Sequence, residues 1–128
     1  MRIAASLGLA PGLMFFTLAM AAPTLEVQAE VGYLLQHIED SDCVFYRNGL
    51  WYDGARASAH LKTKYQYLVA REQVKTTEDF IERAATKSSI SGIPYQIRCT
   101  GSTTMESNRW LLEALAAYRL AQGSLPVH

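Results

Sequence analysis

Residues 43–52 read Cys-Val-Phe-Tyr-Arg-Asn-Gly-Leu-Trp-Tyr, and this stretch decides the fold. Cys43 to Tyr46 is β-branched and aromatic, the composition of a strand. Asn48-Gly49 follows, and both residues tolerate a positive φ, which makes the pair the strongest short-range hairpin signal. Leu50-Trp51-Tyr52 then supplies a short return strand. An isolated hairpin is marginal in water, so other elements have to cover it.

Those elements lie on both sides. Upstream, Val27, Val31, Leu34, Leu35 and Ile38 recur at helical spacing with Glu26, Glu30, Gln36 and Glu39 between them, so a helix is expected over about 26–40. Asp40-Ser41-Asp42 ends it. Downstream, Asp53 is a good N-cap for a helix over about 54–72, with Ala57, Leu61, Tyr65, Tyr67 and Leu68 as its buried stripe. Arg56, Lys62, Lys64 and Arg71 face outward or snorkel. Thr76 with Asp79 starts a third helix, expected to run to about Lys87 on an inner face of Phe80, Ile81, Ala84 and Ala85. Ser88 to Gly92 stops it. Tyr95, Ile97 and Cys99 alternate with Gln96 and Arg98 as a half-buried strand does. This strand is expected to join the hairpin and bring Cys99 beside Cys43. Thr103-x-x-Glu106 matches the capping box, placing a last helix over about 104–121 with Trp110, Leu111, Ala114, Leu115 and Tyr118 inward. The expected fold is α+β: about four helices packed on a small antiparallel sheet of about three strands, with one disulfide.

Residues 1–21 read as a secretory signal peptide: Arg2, an uncharged apolar run, then Ala19-Met20-Ala21 before the cut. A membrane anchor is the competing reading, and Pro11-Gly12 in the middle of the run favours cleavage. Residues 22–128 then form a single domain with no second spanning segment, so no membrane association is expected after cleavage. With Arg2 gone, basic side chains number one fewer than the 12 acidic ones. A near-neutral surface gives no electrostatic footprint for nucleic acid. In an exported chain the two cysteines, Cys43 and Cys99, form a disulfide. They stand 56 positions apart, too far for a Cys-x-x-Cys redox site. Closing so long a loop is worth at most about 4 kcal/mol.

Chemistry is sparse. His37 falls on the polar side of the first helix, and His128 ends the chain. His60 sits beside the buried stripe of the second helix; it is a packed structural histidine, or a general base if a nucleophile and an orienting carboxylate stand near. Ser88 and Ser89 are the hydroxyls for such a hydrolase or transferase, but no Gly-x-Ser-x-Gly elbow surrounds them, and turn-forming roles suffice for them. Phosphate loops and clusters with zinc-ligand spacing are absent from the sequence, so no cofactor and no metal are expected. Arg47, at the hairpin tip, has the donor geometry to grip a carboxylate or phosphate. Trp51 and Tyr52 either pack into the core or mark a contact surface. The candidate binding residues are therefore Arg47, Trp51, Tyr52 and His60, with no catalytic residue assigned.

The run Cys-x-Phe-x-Arg-Asn-Gly (43–49), Ala-x-Ala-x-Ala-His-Leu-x-x-Lys-Tyr (55–65), Thr-x-Glu-Asp-Phe-Ile (76–81), Ser-Ser-x-Ser-Gly-x-Pro-Tyr (88–95), Cys99 and Trp110-Leu111 resembles the YfeK-like family of small exported bacterial proteins, a domain of unknown function. The resemblance covers about Val31 to Arg119. It implies a periplasmic setting in a Gram-negative bacterium and carries over no catalytic residues. Three roles are compatible with these observations. The first is a non-enzymatic domain binding a protein partner or a cell-envelope component. The second is a hydrolase or transferase using His60 with Ser88 or Ser89. The third is an immunity-type inhibitor of a secreted toxin. Neither the ligand nor the oligomeric state is written in the sequence.

Overall fold

The computed structural model describes residues 22–123, together with residues 12 and 14. Apart from those two positions, the signal peptide expected over 1–21 lies outside the described residues, as does His128. Helix α1 (Leu25–Asp40) starts where the Thr24 hydroxyl accepts from the Val27 N–H at 3.2 Å. It stops where the Ser41 hydroxyl turns back to donate to the Ile38 carbonyl. Strands β1 (Cys43–Arg47) and β2 (Leu50–Tyr52) follow, joined by Asn48 (φ 50°) and Gly49 (φ 89°), the two positive dihedrals that a tight hairpin turn demands.

Helix α2 (Gly54–Ala70) is capped by Asp53, whose carboxylate accepts from the Arg56 N–H. Its first residue lies directly against the Ile38 carbonyl, where any Cβ would collide, so only glycine lets α2 approach the end of α1. Helix α3 (Thr77–Ala84) opens with the full capping box of Thr76 and Asp79. It ends three residues before the expected Lys87. The Thr86 hydroxyl folds back onto the Ile81 carbonyl, and Lys87 leaves the helix to bridge Pro94.

Strand β3 (Gln96–Cys99) joins β1 antiparallel with Cys43 opposite Cys99 and Phe45 opposite Ile97. The Cys43–Cys99 disulfide closes across that pair. A fourth strand, β4 (Met105–Glu106), pairs Ile97 with Met105 and Gln96 with Glu106, giving the order β2-β1-β3-β4. Four strands therefore replace the expected three. The capping box expected at Thr103 and Glu106 does not form, because ladder pairing on the open edge of β3 takes up Glu106 and α4 (Ser107–Gly123) begins just after it.

The four helices cover the sheet face that carries Cys43, Phe45 and Ile97, and the core closes there around Leu34, Ile38, Phe80, Ile97 and Leu111. Val44, Tyr46, Trp51 and Arg98 point to the opposite face, as strand alternation requires. Two side chains depart from expectation. Tyr67 is 56% exposed and stacks beneath the Arg71 guanidinium, four residues along the solvent side of α2. His37 is half-buried between the rings of Tyr33 (5.6 Å) and Trp110 (4.7 Å), because α4 lays Trp110 across the last turn of α1. Among the described residues no helix is long and apolar enough to cross a membrane.

Candidate functional site

Three elements converge beside the hairpin. Strand β1 ends at Arg47. Helix α2 presents His60 and Lys64 one turn apart on the same side. The chain entering β3 presents Tyr95, fixed by its N–H donating to the Thr86 carbonyl. An Arg47 Nη lies 3.0 Å from His60 Nδ1, and His60 Nε2 lies 3.3 Å from the Tyr95 hydroxyl. Lys64 Nζ donates to the same hydroxyl at 3.2 Å. The Arg47 guanidinium also covers the Tyr52 ring, at 4.7 Å from its centroid.

A guanidinium can only donate, and the same Arg47 Nη also lies 3.2 Å from His60 Nε2, so either ring nitrogen can accept from it. The Tyr95 oxygen accepts from Lys64, and its contact with His60 is carried by one hydrogen, on Nε2 or on the phenol. Burial, with the charges of Arg47 and Lys64 added, holds the His60 pKa down to about 4, so the imidazole is neutral at pH 7. Burial first, then Arg47, lowers Lys64 as well. Burial raises Tyr95.

No carboxylate among the described residues pairs with these cations. The three ion pairs among the described residues join Arg109 to Glu113, Arg119 to Glu30 and Arg119 to Glu78; none uses Arg47 or Lys64. Beneath the cluster lies a cavity of about 160 Å³. Its buried walls include Ile38, Phe45, Leu61 and Leu111, and its more open lining includes Arg47, Tyr52, Arg56 and His60. Ser107 also lines it and is only 4% exposed. Its Oγ is the one buried side-chain polar atom among the described residues with no hydrogen-bond partner.

The candidate binding residues therefore divide. Arg47, Tyr52 and His60 meet at this cavity. Trp51, one residue from Tyr52 and so on the other face of the sheet, is 39% exposed, edge-on to Tyr46 and covered by the Arg98 guanidinium at 4.4 Å. The hydrogen bonds of His60 run to Arg47 and Tyr95 rather than to a serine. Ser88 Oγ accepts from Asn48 Nδ2 and from the N–H groups of Ile90 and Ser91, tying the turn after α3 to the hairpin tip. Ser89 is exposed in that turn. Asp42, Cys43 and Cys99 cluster closely enough to suggest metal ligands, but the two sulfurs are bonded to each other and present no thiolate.

Three residues of the site carried no functional weight in the sequence. Lys64 follows His60 at the spacing of one helical turn, a signal that was present. Tyr95 was legible only as an inward strand residue. Ser107 was hidden inside the helix that Thr103 and Glu106 suggested.

Comparison with known proteins gives one family. Residues 25–119 match the model of a family of unknown function, DUF5329. No curated protein and no solved structure matches.

Proposed function

The chain belongs to DUF5329, a family of unknown function, and from that premise we propose that it is an exported, periplasmic, non-enzymatic binding domain that takes a small apolar-bodied ligand into the cavity between the hairpin and α2. The observation that carries this reading is the cavity itself. It is about 160 Å³, walled by buried apolar side chains and open at a polar rim. An engineered apolar cavity of about 150 Å³ in another protein holds benzene, so the space suits a ligand of one ring.

Export is supported by the leader sequence, by the Cys43–Cys99 disulfide and by the resemblance to the YfeK-like exported proteins. A binding role is supported over hydrolysis by the state of His60. Both its nitrogens have partners, neither of them a serine or a carboxylate. A pKa near 4 also makes it a poor base at neutral pH. The test is an NMR titration of the purified protein with benzene, following the methyl groups of Ile38, Leu61 and Leu111. Saturable shifts that disappear in Ala57→Phe, which plugs the lining, are expected. Methyl resonances that stay still would remove the cavity as a site.

A second reading rests on Trp51, which with Tyr46 and Arg98 forms an exposed aromatic–cation surface on the uncovered face of the sheet. Tyr and Trp in that setting suit a protein or envelope partner, an inhibited toxin included. Pull-down from periplasmic extract with Trp51→Ala tests this face, while Tyr52→Ala reports on the cavity. Equal recovery of every partner by Trp51→Ala and the wild type would remove the second reading.

A further inference from the structure

Arg47 lines the cavity and stands without a carboxylate partner among the described residues. Lys64 brings a second positive charge close by, donating to the hydroxyl of Tyr95, another lining residue. Two cations with no acid between them make the arrangement that receives an anion.

Beyond Arg47 the buried walls are apolar, with the ring of Phe45 among them, and the volume admits one ring.

We propose that the ligand is a small aromatic carboxylate of the benzoate type, its acid held by Arg47 in the positive field of Arg47 and Lys64 and its ring against the apolar walls. The assignment rests on the binding-domain reading above and adds to it the chemistry of the ligand. Arg47 is the binding residue here; His60 is a positioning residue, accepting one Arg47 N–H and so holding the guanidinium at the cavity. No bond is made or broken.

Isothermal titration calorimetry of the full chain at pH 7 tests it with three probes: benzoate, benzamide and phenol. The acid is expected to bind at least about tenfold more tightly than the amide, the difference between a charge-assisted and a neutral hydrogen bond. The preference should weaken as salt rises and be lost in Arg47→Gln. Amide binding as tight as acid binding overturns the anion assignment and leaves the cavity as a binding site. If none of the three binds while benzene still shifts the cavity methyls, the ligand class is wrong and the binding site stands. If benzene fails as well, both fall. The ligand comparisons use unaltered protein, so a variant that folds poorly does not protect the proposal.

Discussion

Two clusters of charge border the same core on different elements, and they are built on opposite principles. One joins α1, α3 and α4. Glu30, only 4% exposed, accepts from Arg119 at 2.7 and 2.9 Å and from the Thr77 hydroxyl at 2.6 Å, and Glu78 takes the remaining guanidinium donors. Each charge there has an opposite charge, and Glu30 and Glu78 are both held below their ordinary carboxyl pKa by the Arg119 hydrogen bonds, against the effect of burial. The other cluster joins β1, α2 and the entry to β3. It holds Arg47, Lys64, a neutral His60 and Tyr95, and no acid. The first network is satisfied within the protein, whereas the second holds no acid among the described residues. A buried charged network that satisfies itself reports on folding; one that lacks an acid and borders a cavity is a candidate binding site.

The largest expected effect separates the two clusters by stability. Arg119→Met leaves the Glu30 carboxylate buried and unpaired, a change that costs about 3 kcal/mol for a partner that is itself half-exposed. Urea unfolding measures it. Converting Glu30 to Met as well should recover most of the loss, since an apolar pair replaces the buried charge. Arg47→Met removes a cation that has no acidic partner, so its unfolding midpoint should stay near that of the wild type. A loss at Arg47 as large as the one at Arg119 would show that both clusters are structural, and the contrast would fail.

Acid separates them next. His60 has an ordinary pKa of 6.5 and a folded one of about 4. Above pH 6.5 it is neutral in both states and its contribution is complete. As pH falls from 6.5 the unfolded chain takes up a proton that the folded one refuses, so stability declines until about pH 4 and then levels. At about 1.4 kcal/mol per unit, reduced because the rim is partly solvated, the loss is about 2 kcal/mol. Glu30 and Glu78 act in a lower window. Their stabilisation is present above the ordinary value of 4.5 and fades as pH drops below it through the depressed folded values. Stability against pH should therefore fall in two steps, the upper one missing in His60→Leu and the lower one in Arg119→Met. By histidine NMR, Arg47→Gln should raise the His60 pKa while leaving it below 6.5, because burial is the larger cause. A single step that neither variant alters would merge the two clusters.

How much of this the sequence showed follows from the range of each signal. The hairpin, the caps at Asp53 and Thr76 and the alternation of Tyr95, Ile97 and Cys99 are local, set by residues within a few positions of one another, and all are present in the fold. The pairing of Cys43 with Cys99 was legible because two cysteines admit one bond. Strand β4 was not, because Met105-Glu106 is extended only by what β3 offers it. Gly54 gave no sign of the close approach to Ile38, which depends on how α1 and α2 cross. At the site, Arg47 and His60 stood out as chemical types. Their meeting, and the exclusion of Trp51 from it, depends on which face of the sheet each residue takes.

The smallest expected effect is the sharpest on this contrast, because it compares two buried hydroxyls. Thr77, with no exposed surface, donates to Glu30; Ser107, at 4% exposure, has no partner. Thr77→Val removes a hydrogen bond to a charged group and leaves that carboxylate short of a donor, so it should cost about 1–2 kcal/mol. Ser107→Ala removes a hydroxyl that has no protein partner. Nothing is left unpaired behind it, and the unfolded state alone benefits from the hydroxyl's solvation. The expected change is zero to about 1 kcal/mol of added stability, measured in the same urea experiment. A gain in stability there marks a hydroxyl that the fold does not need. If Ser107→Ala instead destabilises as Thr77→Val does, the hydroxyl is part of the fold, and the two buried hydroxyls are alike.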